Sequence, residues 1–163
     1  MGLGFKLKHH FFSAFRELFV HHHGSLEFRA KIFTLLISTN TEIKDECYSI
    51  VNNIGMQVYK GDTDRANLLT ITTKELVKKV KDNNGLDIDT LIEHLQRELK
   101  IIPRYAKKID IDLLKTLTDL SHDRDTISYQ NNIIEFLTKL KEETLHTKKI
   151  QIESDEEDIE SKY

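Results

Sequence analysis

The sequence predicts an all-α fold, a bundle of roughly seven to nine helices, and three observations carry that prediction. Apolar residues recur three and four positions apart through most of the chain, the spacing that gathers them on one face of a helix. No stretch alternates apolar and polar residues between hairpin turns, so no sheet is expected. One proline, Pro103, and six glycines in 163 residues leave few places where regular structure must stop.

Residues 11–20, FFSAFRELFV, set Phe12, Phe15 and Phe19 at i, i+3 and i+7, with Phe11 and Leu18 beside them and Arg16 and Glu17 outside. An amphipathic helix is expected over about 9–22, closed by His21, His22, His23 and Gly24. Ser25 is the expected N-cap of the next helix, whose apolar positions are Leu26, Ile32, Phe33, Leu36 and Ile37. A third helix runs from about Lys44 to Val58 with Cys47, Ile50, Val51, Ile54 and Val58 inward. A short capped element is expected from Asp62, then a separate helix opened by Thr72 and Glu75 in capping-box spacing and stopped by Asn83-Asn84-Gly85. DIDTLIEHLQRELK is amphipathic through Leu91, Ile92, Leu95 and Leu99, and Pro103 opens one short helical turn. DIDLLKTLTDL and SYQNNIIEFLTKLKEETL complete the body, the second with Ser128 as its expected cap.

Residues 1–150 therefore read as one helical domain. The tail 151–163, QIESDEEDIESKY, carries six acids against one lysine, a composition expected to stay disordered because it has too little apolar surface to bury. Without the tail, 23 basic residues face 21 acidic ones, so the formal charge of −3 comes from the tail and nucleic acid is not the expected partner. No apolar run approaches the ~20 residues of a membrane helix, and the charged N-terminus is not the pattern of a secretory signal. A single cysteine, Cys47, suits a reducing compartment, and a cytoplasmic protein is expected.

Two polar stretches interrupt the helices in similar places, LISTNTEIKDE at 36–46 and LSHDRDTISYQ at 120–130. Shifted by 84 positions, Phe33 falls on Leu117, Leu36 on Leu120, Asn40 on Arg124, Ile43 on Ile127, Glu46 on Gln130 and Ile50 on Ile134. Each copy is an apolar helix, a polar turn, an isoleucine three residues on and a second amphipathic helix, so two pseudo-symmetric helical hairpins are expected.

That repeat, with FRELFVHHHGSLEFRAKIFTLLISTN before the first turn and PRYAKKIDIDLLKTL before the second, resembles the tellurite-resistance TerB family. The resemblance implies an all-helical, non-enzymatic domain associated with stress response and with complexes at the cytoplasmic face of the membrane. It also implies acidic residues around the two turns that bind a divalent cation such as Ca²⁺. The matching acids are Glu42, Asp45 and Glu46 at the first turn and Asp119, Asp123 and Asp125 at the second; the family's Asp-Gly is replaced by Asn40-Thr41 and Arg124-Asp125.

Read directly, Asp119, Ser121, Asp123 and Asp125 stand at positions 1, 3, 5 and 7 of a calcium loop, but Arg124 occupies the glycine position and Gln130 the bidentate glutamate position. The competing reading is that these acids sit near the start of the following helix, where negative charge is favourable. For His21, His22 and His23 the alternatives are a helix C-terminus favoured by the dipole and a metal ligand set with His9 and His10, although successive helical residues point ~100° apart and at most two reach one ion. The Phe-rich N-terminal segment suits docking on the bundle, a membrane surface or a partner's groove. No G-x-S-x-G, P-loop or G-x-G-x-x-G is present, and the expected role is binding to a protein partner, with peripheral contact at the inner membrane face as the alternative.

Overall fold

A helix can be apolar on every side only where other elements cover every side, and residues 32–37 meet that condition. The computed structural model describes the backbone of residues 24–162 and the side chains of residues 24–157. The N-terminal helix expected over 9–22, with His21, His22 and His23, lies outside the described residues. Those residues form six α-helices and one 3-10 turn, and no strand among them. In α1 (Gly24–Ile37) the run Ile32 to Ile37 is buried throughout, along with Leu26, Phe28 and Ala30. Thr34 belongs to that run because its hydroxyl donates to the Ala30 carbonyl at 2.7 Å, leaving no unmet donor. Ser25 lies inside α1 and is not its cap; the backbone is already helical at Gly24.

The remaining elements are α2 (Asp45–Val58), α3 (Thr63–Lys81), α4 (Ile88–Ile101), the 3-10 turn Pro103–Lys108, α5 (Ile111–Thr118) and α6 (Arg124–Lys162), and each of them except α2 packs on α1. Carboxylates start four of the elements in the same way, each accepting a main-chain N–H three residues on. Asp62 takes Arg65 N–H at 3.1 Å, Asp87 takes Thr90 N–H at 2.7 Å, Asp110 takes Leu113 N–H at 3.2 Å and Asp123 takes Thr126 N–H at 3.1 Å. Lys44 precedes α2 and makes no such bond, as its side-chain chemistry requires. The stop at Asn83 and Gly85 holds too, both with positive φ.

Three expected boundaries move. The capping box at Thr72 and Glu75 opens nothing: α3 is one helix of 19 residues from the Asp62 cap. Its threonine hydroxyls return to the i−4 carbonyls, Thr73 to Leu69 at 2.8 Å, so they fit a helix interior, and Leu68, Leu69, Thr72, Leu76 and Val77 stay buried across the expected break. Ser128 is likewise inside α6 and exposed, because Asp123 provides the cap. The acidic stretch 151–162 continues α6, where composition predicts disorder. Adding a turn to an existing helix avoids the cost of nucleation, and Gln151 donates to Asp155 at 3.1 Å. The described side chains of that stretch are all exposed, so it adds nothing to the core.

The two expected hairpins differ in packing. α5 and α6 touch directly, whereas α2 packs mainly on α3, which also lies against α1. Gly55 draws α2 and α3 together; a Cβ there would sit 2.9 Å from the Ala66 Cα. Asn52 adds a cross-helix bond to Asn67 at 3.0 Å. The core then closes through Phe28 against Tyr105, ring centroids 5.3 Å apart, and through Leu91, Leu95, Ile109, Leu114 and Leu137.

Candidate functional site

The two acidic turns are the first place to look. At the first, the carbonyls that end α1 are taken locally: Thr39 donates its hydroxyl to Leu36 at 2.6 Å and the Asn40 amide donates to Ile37 at 3.0 Å. The Lys81 ammonium donates to the Asn40 carbonyl, bringing a positive charge to the turn. Glu42, Asp45 and Glu46 are exposed, the last two in the first turn of α2, where the helix dipole favours them.

At the second turn, Asp119 closes α5 through its backbone N–H to Lys115. Asp125 sits exposed in the first turn of α6. Asp123 accepts both the N–H and the hydroxyl of Thr126, at 3.1 and 2.8 Å from one carboxylate oxygen. Those bonds hold its carboxyl below the ordinary aspartate value. The turns do meet, through Gln130 rather than through acids: its buried amide donates to the Leu36 carbonyl at 3.0 Å across 94 residues of chain. Among the described residues, no three His, Cys, Asp or Glu side chains come together around a point that could hold a metal ion.

The geometry at Asp123 makes a specific expectation. Its folded pKa lies below its unfolded one, so its stabilisation is full above the ordinary aspartate value of 3.8 and fades as pH falls through the lowered folded value. Asp123→Ala should lower the thermal midpoint at pH 7 and flatten the acid limb of its pH dependence. The decrease should be equal in EDTA and in Ca²⁺. A midpoint that Ca²⁺ raises in the parent, with the rise abolished by Asp123→Ala plus Asp125→Ala, would instead make this turn a cation loop.

A different feature has the form of a binding surface. Between α4 and α6 lies a groove of about 650 Å³, with Leu99 and Pro103 on one wall and Leu140 on the other. On α6, Leu140, Thr144, Thr147 and Gln151 follow one another at i, i+4, i+7 and i+11, a single stripe along the helix. The middle of that stripe is hollow because two short threonines stand where a packed helix has larger side chains. The Thr144 hydroxyl donates to the Leu140 carbonyl at 2.7 Å, so it presents no unmet donor to the groove. Lys100, Glu143 and Lys148 supply charges of both signs around it. Ile152 ends the groove and is exposed, as are Ile150 on the same helix and Ile101 at the end of α4.

None of the groove residues is among the predicted acids. Thr144, Thr147 and Gln151 read as a solvated face, and the two walls come from segments about 40 residues apart, so only folding reveals the hollow. The readable signal was the pair Ile150 and Ile152, two apolar residues that straddle the expected end of the body at residue 150. Among the described residues, no helix is long and apolar enough to cross a membrane. Comparison with protein-family models, with curated proteins and with solved structures finds no match.

Proposed function

We propose that the chain is a non-enzymatic helical binding domain of the TerB-like kind, a scaffold that seats an amphipathic helix of a protein in the groove between α4 and α6. The observation that carries this reading is the hollow stripe Leu140–Thr144–Thr147–Gln151 facing Leu99 and Pro103. An incoming helix with apolar residues at i, i+3 and i+7 would place them against that stripe as in other helix-in-groove complexes. Burial of apolar area on both sides would supply the affinity, at about 25 cal/mol per Å² before the losses of association. The charges at the rim favour an occupant with both signs on its polar flanks.

A photo-reactive benzoylphenylalanine in place of Thr147 tests the reading in cells that make the protein, with the same group at exposed Ser49 on α2 as the control. The expected result is one adduct of defined mass from position 147, mapping to a segment with helical apolar spacing. An adduct to this chain's own residues would count equally for the groove. Adducts as diffuse from position 147 as from position 49 would overturn it.

A further inference from the structure

We infer that the small cavity lined by Arg29, Lys107 and Lys108 is a binding site for a phosphate group, built from residues that the groove between α4 and α6 does not use.

The fold holds three cations together here. Arg29 lies on α1 between Phe28 and Ala30, both fully buried, so its stem is fixed and it is itself half-buried. Lys107 and Lys108 end the 3-10 turn, which fully buried Ala106 and Ile109 anchor on either side of them. Between the three lies a cavity of about 60 Å³, several times the roughly 10–15 Å³ that one water needs. Phe33, Ile54 and Leu114 supply apolar walls.

Positive charges around such a cavity repel one another, and apolar walls strengthen the repulsion. Lys108 records it: burial first, then the Arg29 and Arg104 guanidiniums, push its pKa below the ordinary lysine value. Acids do not relieve the charge. Asp110 is the acid of the lining, and its carboxylate accepts the Leu113 N–H at 3.2 Å as the cap of α5. Among the described residues, none of the three cations forms an ion pair with a carboxylate. Arg29 is held instead by an aromatic face, its guanidinium carbon 5.5 Å from the centre of the Tyr59 ring. Arg65 shares that ring at 5.6 Å but pairs with Asp62 at 3.8 Å. Arg29 is the guanidinium left with charge to offer.

The donor set selects the ligand. A guanidinium presents a planar fork of N–H donors and each ammonium three donors on a flexible stem, together matching the several oxygens of a phosphate. Three cations against one carboxylate leave two positive charges, and a phosphate group carries about two negative ones. The cavity is small enough that only the phosphate enters it, and the rest of a phosphate ester stays outside.

Titration of the isotope-labelled full-length chain with sodium phosphate tests the site, at about pH 8, where phosphate is mainly the dianion. Sodium chloride of equal ionic strength is the reference. The expected result is a saturable shift of the Arg29, Lys108 and Ile109 amide signals that chloride does not reproduce. Lys107→Gln plus Lys108→Gln, at positions outside the core, should weaken phosphate binding about tenfold or more. Arg29→Lys keeps the charge and loses the fork, so it should weaken binding less. Lys79→Gln, exposed on α3, should leave it unchanged. Shifts that grow without saturating, that chloride matches, or that the lysine pair leaves at parental affinity would overturn the site. Co-sedimentation with phosphatidylcholine vesicles containing phosphatidic acid then assigns the source of the phosphate. Sedimentation lost in the double-lysine variant makes it a lipid headgroup. A chain that stays in solution, or that sediments equally with the pair substituted, takes a soluble phosphate ester, and the site stands in either case.

Discussion

Phe28→Ala should lower the unfolding free energy by about 3–5 kcal/mol, the range for emptying a buried aromatic site. Phe28 is fully buried on α1, the helix that packs on α3, α4, the 3-10 turn, α5 and α6, and its ring lies 5.3 Å from that of Tyr105 at 41°. The substitution removes the transfer energy of the ring, leaves a void at a fully buried site, and takes away a tilted aromatic pair worth about 0.5–1.5 kcal/mol. Against a total of ~5–15 kcal/mol for a domain of this size, that is a large share. Urea unfolding should show a lower midpoint with an unchanged slope, and Phe28→Leu should lose much less. A loss below about 1 kcal/mol for the alanine variant would mean that α1 is not the central helix.

The second large effect is expected at the crossing of α2 and α3. A glycine inside an exposed helix costs ~1 kcal/mol relative to alanine, so Gly55→Ala would be stabilising if space allowed. Space does not allow it: the new Cβ would lie 2.9 Å from the Ala66 Cα and 3.0 Å from its Cβ. Because the first of these is backbone, a rotamer change cannot relieve it and the two helices must separate. Gly55→Ala should therefore be destabilising on balance, and Gly55→Leu should lose about 3 kcal/mol or more, at the upper end of overpacking costs. Ala66→Gly combined with Gly55→Ala should recover only part of the loss, since the main chain at position 66 still stands in the way. A Gly55→Ala protein more stable than the parent in thermal unfolding would show that the helices cross elsewhere.

What could be read from the sequence was whatever depends on residues close together in it. The four-residue spacing of Leu91, Leu95 and Leu99 fixed α4 and its buried face, and Asp62 and the Asn83–Gly85 stop marked both ends of α3. Thr72 and Glu75 misled because a threonine followed three residues later by glutamate has the same spacing at a helix start and in a helix interior; the choice is made by the burial of Leu68, Leu69 and Leu76 against α1 and α2. Ser128 misled for a related reason, since Asp123 satisfies the first turn before the serine is reached. The acidic turns were visible as composition. Gln130, which joins them, was visible only as a replacement for a ligand, and its partner Leu36 lies 94 residues earlier. The groove depends wholly on such distant pairings: neither Leu99 nor Thr147 carries any sign of the other.

α6 is a single helix of 39 residues, yet its two halves belong to different thermodynamic units. From Thr126 to Leu137 it carries Gln130, Ile133 and Ile134 in the core, so opening its hydrogen bonds there requires opening the bundle. From His146 to Glu157 its side chains are largely exposed, and those turns can fray one at a time with small local free energies. A partner helix laid along Thr147 and Gln151 would shift that boundary outward, transferring turns from the fraying unit to the cooperative one. Occupancy of the groove is thereby coupled to how far along α6 the folded state extends.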